Sequence, residues 1–342
     1  MKKKLKKTGL GLIIVILALL LWQHDLVLYG LGQARGQLKI ITDARPVEEF
    51  MSDPEFPDSL KNKLQLIAEV RQFAFDSLGL NYSDNYTSLY DQGGKPILWV
   101  VNACEAFELK NKEWTFPLLG AVSYKGFFDL AKAEKEEAIW KAKGYDTRIR
   151  TVGGWSTLGF LDDPILSNML NRRDGDLAEL IVHELTHGTL YIPDSVSFNE
   201  NLASFIGKVG ARKFMKVRGM SEELQTYLEA EHDDSLFTAH MLRGVKHLQE
   251  RYEAIAEVQD TSEKQELKDK AILQIQNSLD TVSFHRPEAY AWFQEANINN
   301  TFFMGYVRYY GSQEVFAQEF KNDYNGDIRA YIVALSKKYP SI

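Results

Sequence analysis

Apolar residues recur three and four positions apart over much of the second half of the chain, which is the spacing of one face of an α-helix. One such stripe predicts a central helix and consists of Leu177, Leu180, Ile181 and Leu185. Gly188 and Pro193 end this pattern, and a second helical pattern begins at Ser197. Further on, residues 220–258 and 264–282 are long, charged and amphipathic, and they predict an antiparallel helical pair.

Short runs rich in β-branched and aromatic residues precede the central helix. They predict strands at 97–109, 114–124 and 146–152, with a charged helix at 128–143 between the last two. The combination predicts an α+β fold that is mostly α-helical, with a small antiparallel or mixed sheet ahead of the central helix.

The N-terminus combines a basic flank with an apolar run. Five of the first seven residues are lysines, and the run from Leu10 to Trp22 carries no charge. This pattern is typical of a membrane-targeting segment, and residues 8–31 together are long enough to span a bilayer. No clear cleavage site follows, so an uncleaved signal anchor in residues 1–31 is favoured over a cleaved signal peptide or a core helix. Lysines stay on the cytoplasmic side, which would place the rest of the chain outside the cytoplasmic membrane.

Composition narrows the function classes. The net charge is −7 in spite of the N-terminal lysines, so the body is distinctly acidic and nucleic acid is not an expected partner. Cys104 is the single cysteine, which excludes an intrachain disulfide and a cysteine-based zinc finger. A chain of 342 residues can bury one large core or two smaller ones.

The central helix carries the most specific chemical signal in the chain. Residues 183–187 read His-Glu-Leu-Thr-His, an H-E-x-x-H motif. His183 and His187 are four apart, so a helix can direct both imidazoles at one zinc ion, while Glu184 can act as general base. A buried helix with satisfied histidines is the alternative.

A catalytic zinc site needs a third protein ligand. The position six residues after the second histidine is Pro193, which cannot bind metal, so Glu200 is the best candidate for a two-His-one-Glu site. Ser197 with Glu200 three positions later also reads as a helix capping box. In thermolysin-type sites an Asp follows the glutamate by four residues, whereas Ser204 stands there in this chain.

Several separate motifs occur in one order along residues 32–210. They are Gly32-Gln33, Gly36-Gln37, Arg71-Gln72-Phe73-Ala74, Trp114-Thr115-Phe116-Pro117, Tyr124-Lys125-Gly126-Phe127-Phe128, Gly144-Tyr145-Asp146, Ser156-Thr157-Leu158-Gly159-Phe160, Asp163-Pro164, the H-E-x-x-H motif and Phe198-Asn199-Glu200. In these motifs the chain resembles the predicted bacterial aminopeptidase family of H-E-x-x-H, gluzincin-like zinc metallopeptidases. The C-terminal third matches loosely, mainly at Asn299-Asn300. Trp155, Asn201 and Leu202 depart from the family pattern.

The resemblance implies a zincin-like, membrane-associated metallopeptidase with one Zn²⁺ per chain, held by His183, His187 and Glu200, with Glu184 as base. A further hydrogen-bond donor should stabilise the oxyanion or bind substrate. The candidates are Tyr124, Tyr145, Ser156, Tyr306 and Tyr309.

The expected organisation has three parts: a signal anchor at 1–31, a catalytic region at 32–215 and a helical C-terminal region at 216–342 packed on it. The expected partners are a peptide or protein substrate and the lipid bilayer. The expected location is the bacterial inner membrane, with a single pass and the catalytic region on the periplasmic side. A zinc hydrolase of another amide or ester, and a membrane-anchored scaffold with structural zinc, remain open as alternatives.

Overall fold

A computed structural model describes residues 23–116, 120–152, 161–193, 195–310 and 313–339, with side chains except those of 308–310 and 313. Two compact units divide the chain, Met1–Asp43 and Ala44–Ile342. Most of the expected signal anchor lies outside the described residues. Within the described part, no helix combines the length and apolar character needed to cross a bilayer. The predicted division at 215–216 stays a prediction.

The first unit contributes helix α1, His24–Asp43, on which Leu28, Leu31 and Leu38 are exposed. The second unit is mostly helical. Its α-helices are α2 Val47–Ser52, α3 Asp58–Phe73, α4 Leu130–Lys141, α5 Asp174–His187, α6 Val196–Val217, α7 Ser221–Ala254, α8 Thr261–Asn277, α9 Trp292–Glu295, α10 Asn300–Tyr310, α11 Gln313–Tyr324 and α12 Ile328–Lys338. Short 3-10 helices occupy Ser167–Asn171, Ser278–Thr281 and Pro287–Ala289.

Three small sheets occur in the described chain in place of the single sheet expected. The strands are β1 Arg45–Pro46, β2 Ser88–Tyr90, β3 Trp99–Cys104, β4 Trp114–Phe116, β5 Gly120–Val122, β6 Lys125–Phe127, β7 Asp146–Thr151 and β8 Ile165–Leu166. Their orders are β1-β2-β8, which is mixed, β6-β3-β7, which is antiparallel, and the hairpin β4-β5.

The stretch 114–124 was expected to be one strand, and the structure divides it. β4 and β5 pair with each other, with Trp114 opposite Val122. Gly120 opens β5 with φ +69°, a left-handed backbone that glycine adopts without steric cost. The apolar run therefore folds back on itself and forms a hairpin.

Helix α3 and its continuation form one wall of the core. Leu64, Ile67 and Val70 are buried at helical spacing, and the last turn, Ala74–Leu78, widens into a π-helix. Gly79 ends it with φ +84°, as a left-handed C-terminal glycine commonly does. Helix α3 packs against α5, the helix that carries the H-E-x-x-H motif.

The close packing of α5 against α6 depends on two glycines. A Cβ at Gly207 would lie 3.0 Å from the Glu179 carbonyl oxygen and 3.3 Å from the His183 Cβ. At Gly210 it would lie 2.8 Å from a Val182 methyl group. Because only hydrogen occupies these positions, α6 approaches α5 closely enough for side chains on both helices to share one site.

The C-terminal helices form a second apolar cluster. Helices α7 and α8 pack against each other as the sequence predicted, and Met241, Leu248, Phe293 and Phe303 lie fully buried between the surrounding elements. Lys268 of α8 is 1% exposed and donates to both carboxylate oxygens of Asp146 at 2.7 and 2.6 Å. This ion pair ties the helical pair to strand β7.

Candidate metal centre

Helices α5 and α6 bring His183, His187 and Glu200 to one point. One ligand atom from each residue lies within 4.8 Å of the others. The two Nε2 atoms are 3.2 Å apart, and the Glu200 oxygens lie 3.4 Å from His183 Nε2 and 3.8 Å from His187 Nε2. Two imidazoles and one carboxylate converging in this way could hold a metal ion, and they are donor types that catalytic zinc sites use.

The histidines face each other because of helical spacing. They occupy the last turn of α5, four residues apart, and their rings meet edge to face at 4.9 Å between centroids. His187 is 5% exposed, and its Nδ1 has no hydrogen-bond partner among the described residues. The Ser204 hydroxyl lies 3.4 Å from Nδ1 of His183.

Asn199 fixes the start of α6 and hence the position of Glu200. Its Oδ1 accepts from the Ile192 N–H at 2.9 Å, and its Nδ2 donates to the Ile192 carbonyl oxygen at 2.7 Å. Asn199 is 2% exposed, so both bonds are shielded from water. This pair of bonds holds the connection between the two ligand-bearing helices.

The capping-box interpretation of Glu200 does not match the helix start. Helix α6 begins at Val196, and its N-cap position is Ser195, which makes no side-chain capping bond. Ser197 therefore lies inside the first turn, where it cannot be the N-cap partner of Glu200. Helix α5 starts after Arg173, which pairs with Asp176 in the first turn.

Burial and mutual charge shift the pKa values of the motif. Burial raises the pKa of Glu184 to about 7, helped by the nearby charges of Glu200 and Asp163. Burial lowers the pKa of His187 to about 4, and the charge of His183 acts in the same direction. Burial alone would lower the pKa of His183, but the hydrogen bond to Glu200 and the charge of Glu184 raise it.

These features fit a bound zinc ion. A neutral His187 offers the lone pair that a metal ligand needs, and its buried Nδ1 can hydrogen-bond to a further group that orients the ring. Glu184 is 8% exposed and lies next to His183 in the chain, outside the ligand set. A carboxylate in that position can serve as a base without being a ligand.

Tyr86 is a residue that the sequence reasoning missed. It is 2% exposed, and its hydroxyl has no hydrogen-bond partner among the described residues. Burial raises its pKa, and the charges of Glu184 and Asp163, which are within electrostatic range of its hydroxyl, act in the same direction. Its backbone adopts φ +64°, and its N–H donates to the Asp163 carbonyl at 2.6 Å. The sequence offered only a tyrosine-rich loop as a signal.

The predicted oxyanion and substrate residues have varied surroundings. Tyr145 donates to Glu105 Oε1 at 2.7 Å, and Tyr306 packs against Phe237 and Phe302 in the C-terminal apolar cluster. Tyr124 is half-buried after β5. Ser156 lies outside the described residues, as does the side chain of Tyr309 on α10.

Comparison with known proteins adds a family. The family model described as "Putative aminopeptidase" matches residues 28–338, which is most of the chain. The chain belongs to this family. No curated protein and no solved structure gives a significant match. The putative aminopeptidase family indicates a peptide hydrolase, and the match runs across both the ligand-bearing helices and the C-terminal helices.

Proposed function

We propose that the protein is a membrane-anchored zinc metallopeptidase that hydrolyses peptide bonds, of aminopeptidase type. The observation that carries the proposal is the convergence of His183, His187 and Glu200 within 4.8 Å, with Glu184 buried beside them. A structural zinc site needs no base, whereas this site has one. The family description supports the peptide as substrate class.

Glu184 performs the proton transfers. Zinc, when bound, supplies Lewis acidity toward the scissile carbonyl and the attacking water. Glu184 takes a proton from that water and delivers it to the leaving amine. A pKa near 7 in the metal-free site suits a group that must both accept and return a proton near neutral pH. Burial of Glu184 and His187 excludes bulk water from this exchange.

The membrane part of the proposal rests on sequence. The N-terminal lysines and the uncharged run Leu10–Trp22 support an anchor in the inner membrane with a single pass. The catalytic unit would then act on the periplasmic side, on peptides or proteins outside the cytoplasm.

Metal content and turnover of the full-length protein test the function. Detergent-purified wild type should hold about one zinc per chain by elemental analysis and cleave members of a peptide library. Glu200→Ala should lose the metal, while Glu184→Gln should keep it and lose at least about a hundred-fold in turnover. Glu250→Ala and Glu250→Gln, on the exposed face of α7, are the matched controls.

Three results would reject the proposal or redirect it. Wild type that holds no zinc after metal-supplemented purification would reject the proposal that the protein is a zinc metallopeptidase. Full zinc with turnover unaffected in Glu184→Gln would assign the activity elsewhere. Zinc with cleavage of esters or non-peptide amides, and none of peptides, would identify another zinc hydrolase.

A further inference from the structure

A groove of about 700 Å³ lies between the first turn of α6, the β4–β5 hairpin and α10. Its apolar wall consists of Leu109, Ala121, Val196, Phe198, Met304 and Val307. This volume is within the range of pockets that hold small molecules or short peptide segments. None of the residues discussed so far as ligand or base lines it, so it is a feature separate from the ligand triad.

The groove begins one helical turn from the third ligand. Val196 precedes Glu200 by four residues on α6, so both lie on the same face, about 6 Å apart along the helix axis. An extended peptide advances about 3.3 Å per residue. The wall at Val196 is therefore within about two residues of a bond cleaved at the triad.

The lining favours an uncharged occupant. Its charged residues are Lys110 and Glu113, which carry opposite signs and lie in one short segment of the chain. The remaining polar lining consists of small hydroxyl and amide side chains. A neutral apolar side chain would displace water from the wall without leaving a charge unpaired.

The wall is held rigidly in place. The Phe198 ring packs edge to face on Phe316 and Tyr339, with centroids 5.4 and 5.3 Å away. Met304 and Val307 are three apart on α10 and so face the groove together. On the opposite side, β4 and β5 form a two-stranded sheet in the described chain.

We propose that this groove is the subsite for an apolar side chain of the peptide substrate, within two residues of the scissile bond, and that Phe198, Met304 and Val307 set this preference. The inference rests on the proposed peptidase function. Burying one Leu- or Phe-sized side chain stabilises binding enough for about a ten- to hundred-fold preference over a charged residue at the same position.

Peptide series that differ at single positions test the subsite in the full-length protein. Each position within two residues of the cleaved bond is varied among Leu, Glu and Lys. At one position wild type should prefer Leu at least about ten-fold in kcat/KM. Val307→Lys should lower kcat/KM for the Leu peptide about ten-fold, mainly by raising KM, and should raise kcat/KM for the Glu peptide. Val333→Lys, the same exchange on an exposed part of α12, is the control and should change neither.

A binding measurement separates the subsite from the chemistry. Fluorescently labelled Leu and Glu peptides are titrated into Glu184→Gln, with and without Val307→Lys, and zinc content is measured in each variant. Unchanged preference in Val307→Lys with zinc retained would overturn the subsite. If wild type cleaves no peptide but its preference for binding the Leu peptide over the Glu peptide is still lost in Val307→Lys, the peptidase function would be rejected and the apolar subsite would be retained.

Discussion

The Ser204 hydroxyl lies 3.4 Å from Nδ1 of His183, on the side of the ring opposite the ligand atom. Ser204 follows Glu200 by one turn of α6, so one helix supplies both a proposed metal ligand and the outer partner of a second proposed ligand. A carboxylate in this place would hold the ring more strongly and make the imidazole more basic. A hydroxyl is the weaker partner because it carries no charge.

Ser204 should therefore tune metal affinity. We expect Ser204→Ala to weaken zinc binding up to about ten-fold and Ser204→Asp to strengthen it, since outer partners change affinity by about 10- to 100-fold. Competition with a chromophoric chelator measures both. Ser336→Ala on α12, whose hydroxyl donates to the Ile332 carbonyl oxygen of the same helix, should leave the affinity unchanged. Weaker binding by Ser204→Asp than by wild type would contradict this role.

Gly207 should control the spacing of the two ligand-bearing helices. An added Cβ would meet the backbone oxygen of Glu179 at 3.0 Å, which cannot move aside as a flexible side chain can. Gly207→Ala should destabilise the fold by about 1–3 kcal/mol and weaken zinc binding, because α6 must shift away from α5.

Gly305 provides the matched control for this change. It lies in helix α10, and among the described residues no atom outside the adjacent backbone of that helix lies within 4 Å of an added Cβ. Gly305→Ala should be neutral or stabilise by up to about 1 kcal/mol. Thermal denaturation and chelator competition on both variants compare the two sites. Equal effects at the two glycines would show that helix spacing is not what Gly207 provides.

The sequence predicted the residues that the structure brings together at the candidate metal centre, but not their surroundings. The grouping of His183, Glu184 and His187 follows from their spacing on one helix, and a carboxylate as the candidate third ligand follows from Pro193, which cannot bind metal at the alternative position. The arrangement of the residues around the triad depends on contacts between parts of the chain far apart in sequence, such as the hydrogen bond from the Tyr86 N–H to the Asp163 carbonyl oxygen. No local pattern encodes those contacts.

The boundaries of the helices and strands could also be predicted only in part from the sequence. The sequence predicted the helices around the triad well, because apolar periodicity records which face is buried. The hairpin within 114–124 was missed, since its strands are three residues each and too short to show a period. Short strands take their pairing from tertiary context, which a local pattern does not contain.

Tyr86 offers a test that separates a functional hydroxyl from a structural one. Its hydroxyl is buried with no partner among the described residues, so removing it should cost no stability and can stabilise the fold by about 1 kcal/mol. We expect Tyr86→Phe to lower kcat about ten-fold or more with zinc retained, because a buried donor near the base can act on the reacting groups. Tyr82→Phe, in the same loop with an exposed ring, is the control. Unchanged kcat would reduce Tyr86 to a packing residue.

The buried ion pair between Lys268 of α8 and Asp146 of β7 should contribute strongly to the unfolding free energy. Lys268→Met leaves the Asp146 carboxylate without its cation, which should cost about 3–5 kcal/mol of unfolding free energy. Adding Asp146→Asn should recover part of that loss, since no buried charge then remains. Lys270→Met, exposed on the same helix, should change stability by less than about 0.5 kcal/mol. Urea denaturation of the four proteins gives these values, and a loss in Lys268→Met no larger than in Lys270→Met would refute the assignment.

Glu184 should make the unfolding free energy of the metal-free protein depend on pH, and comparison with Glu184→Gln separates its contribution from that of other groups. Its pKa rises from 4.5 in the unfolded chain to about 7 in the fold, so the folded state holds the proton more tightly. The resulting stability is fully present below about pH 4.5 and is lost as the pH rises to about 7. Above that range, wild type bears the cost of a buried carboxylate that Glu184→Gln does not have.

The difference in unfolding free energy between Glu184→Gln and wild type removes the contribution of groups whose pKa does not depend on Glu184, such as His187, whose pKa is lowered and whose effect runs the opposite way. His183, whose pKa the charge of Glu184 raises, is coupled to Glu184 and remains part of the measured difference. We expect the unfolding free energy of Glu184→Gln, relative to that of wild type, to increase by up to about 3 kcal/mol as the pH rises from 5 to 8. Urea denaturation in the presence of a chelator measures this at each pH, with Glu250→Gln as control. A difference that stays constant across the range would mean that Glu184 ionises in the fold as it does in water, and the argument for a base tuned to neutral pH would fail.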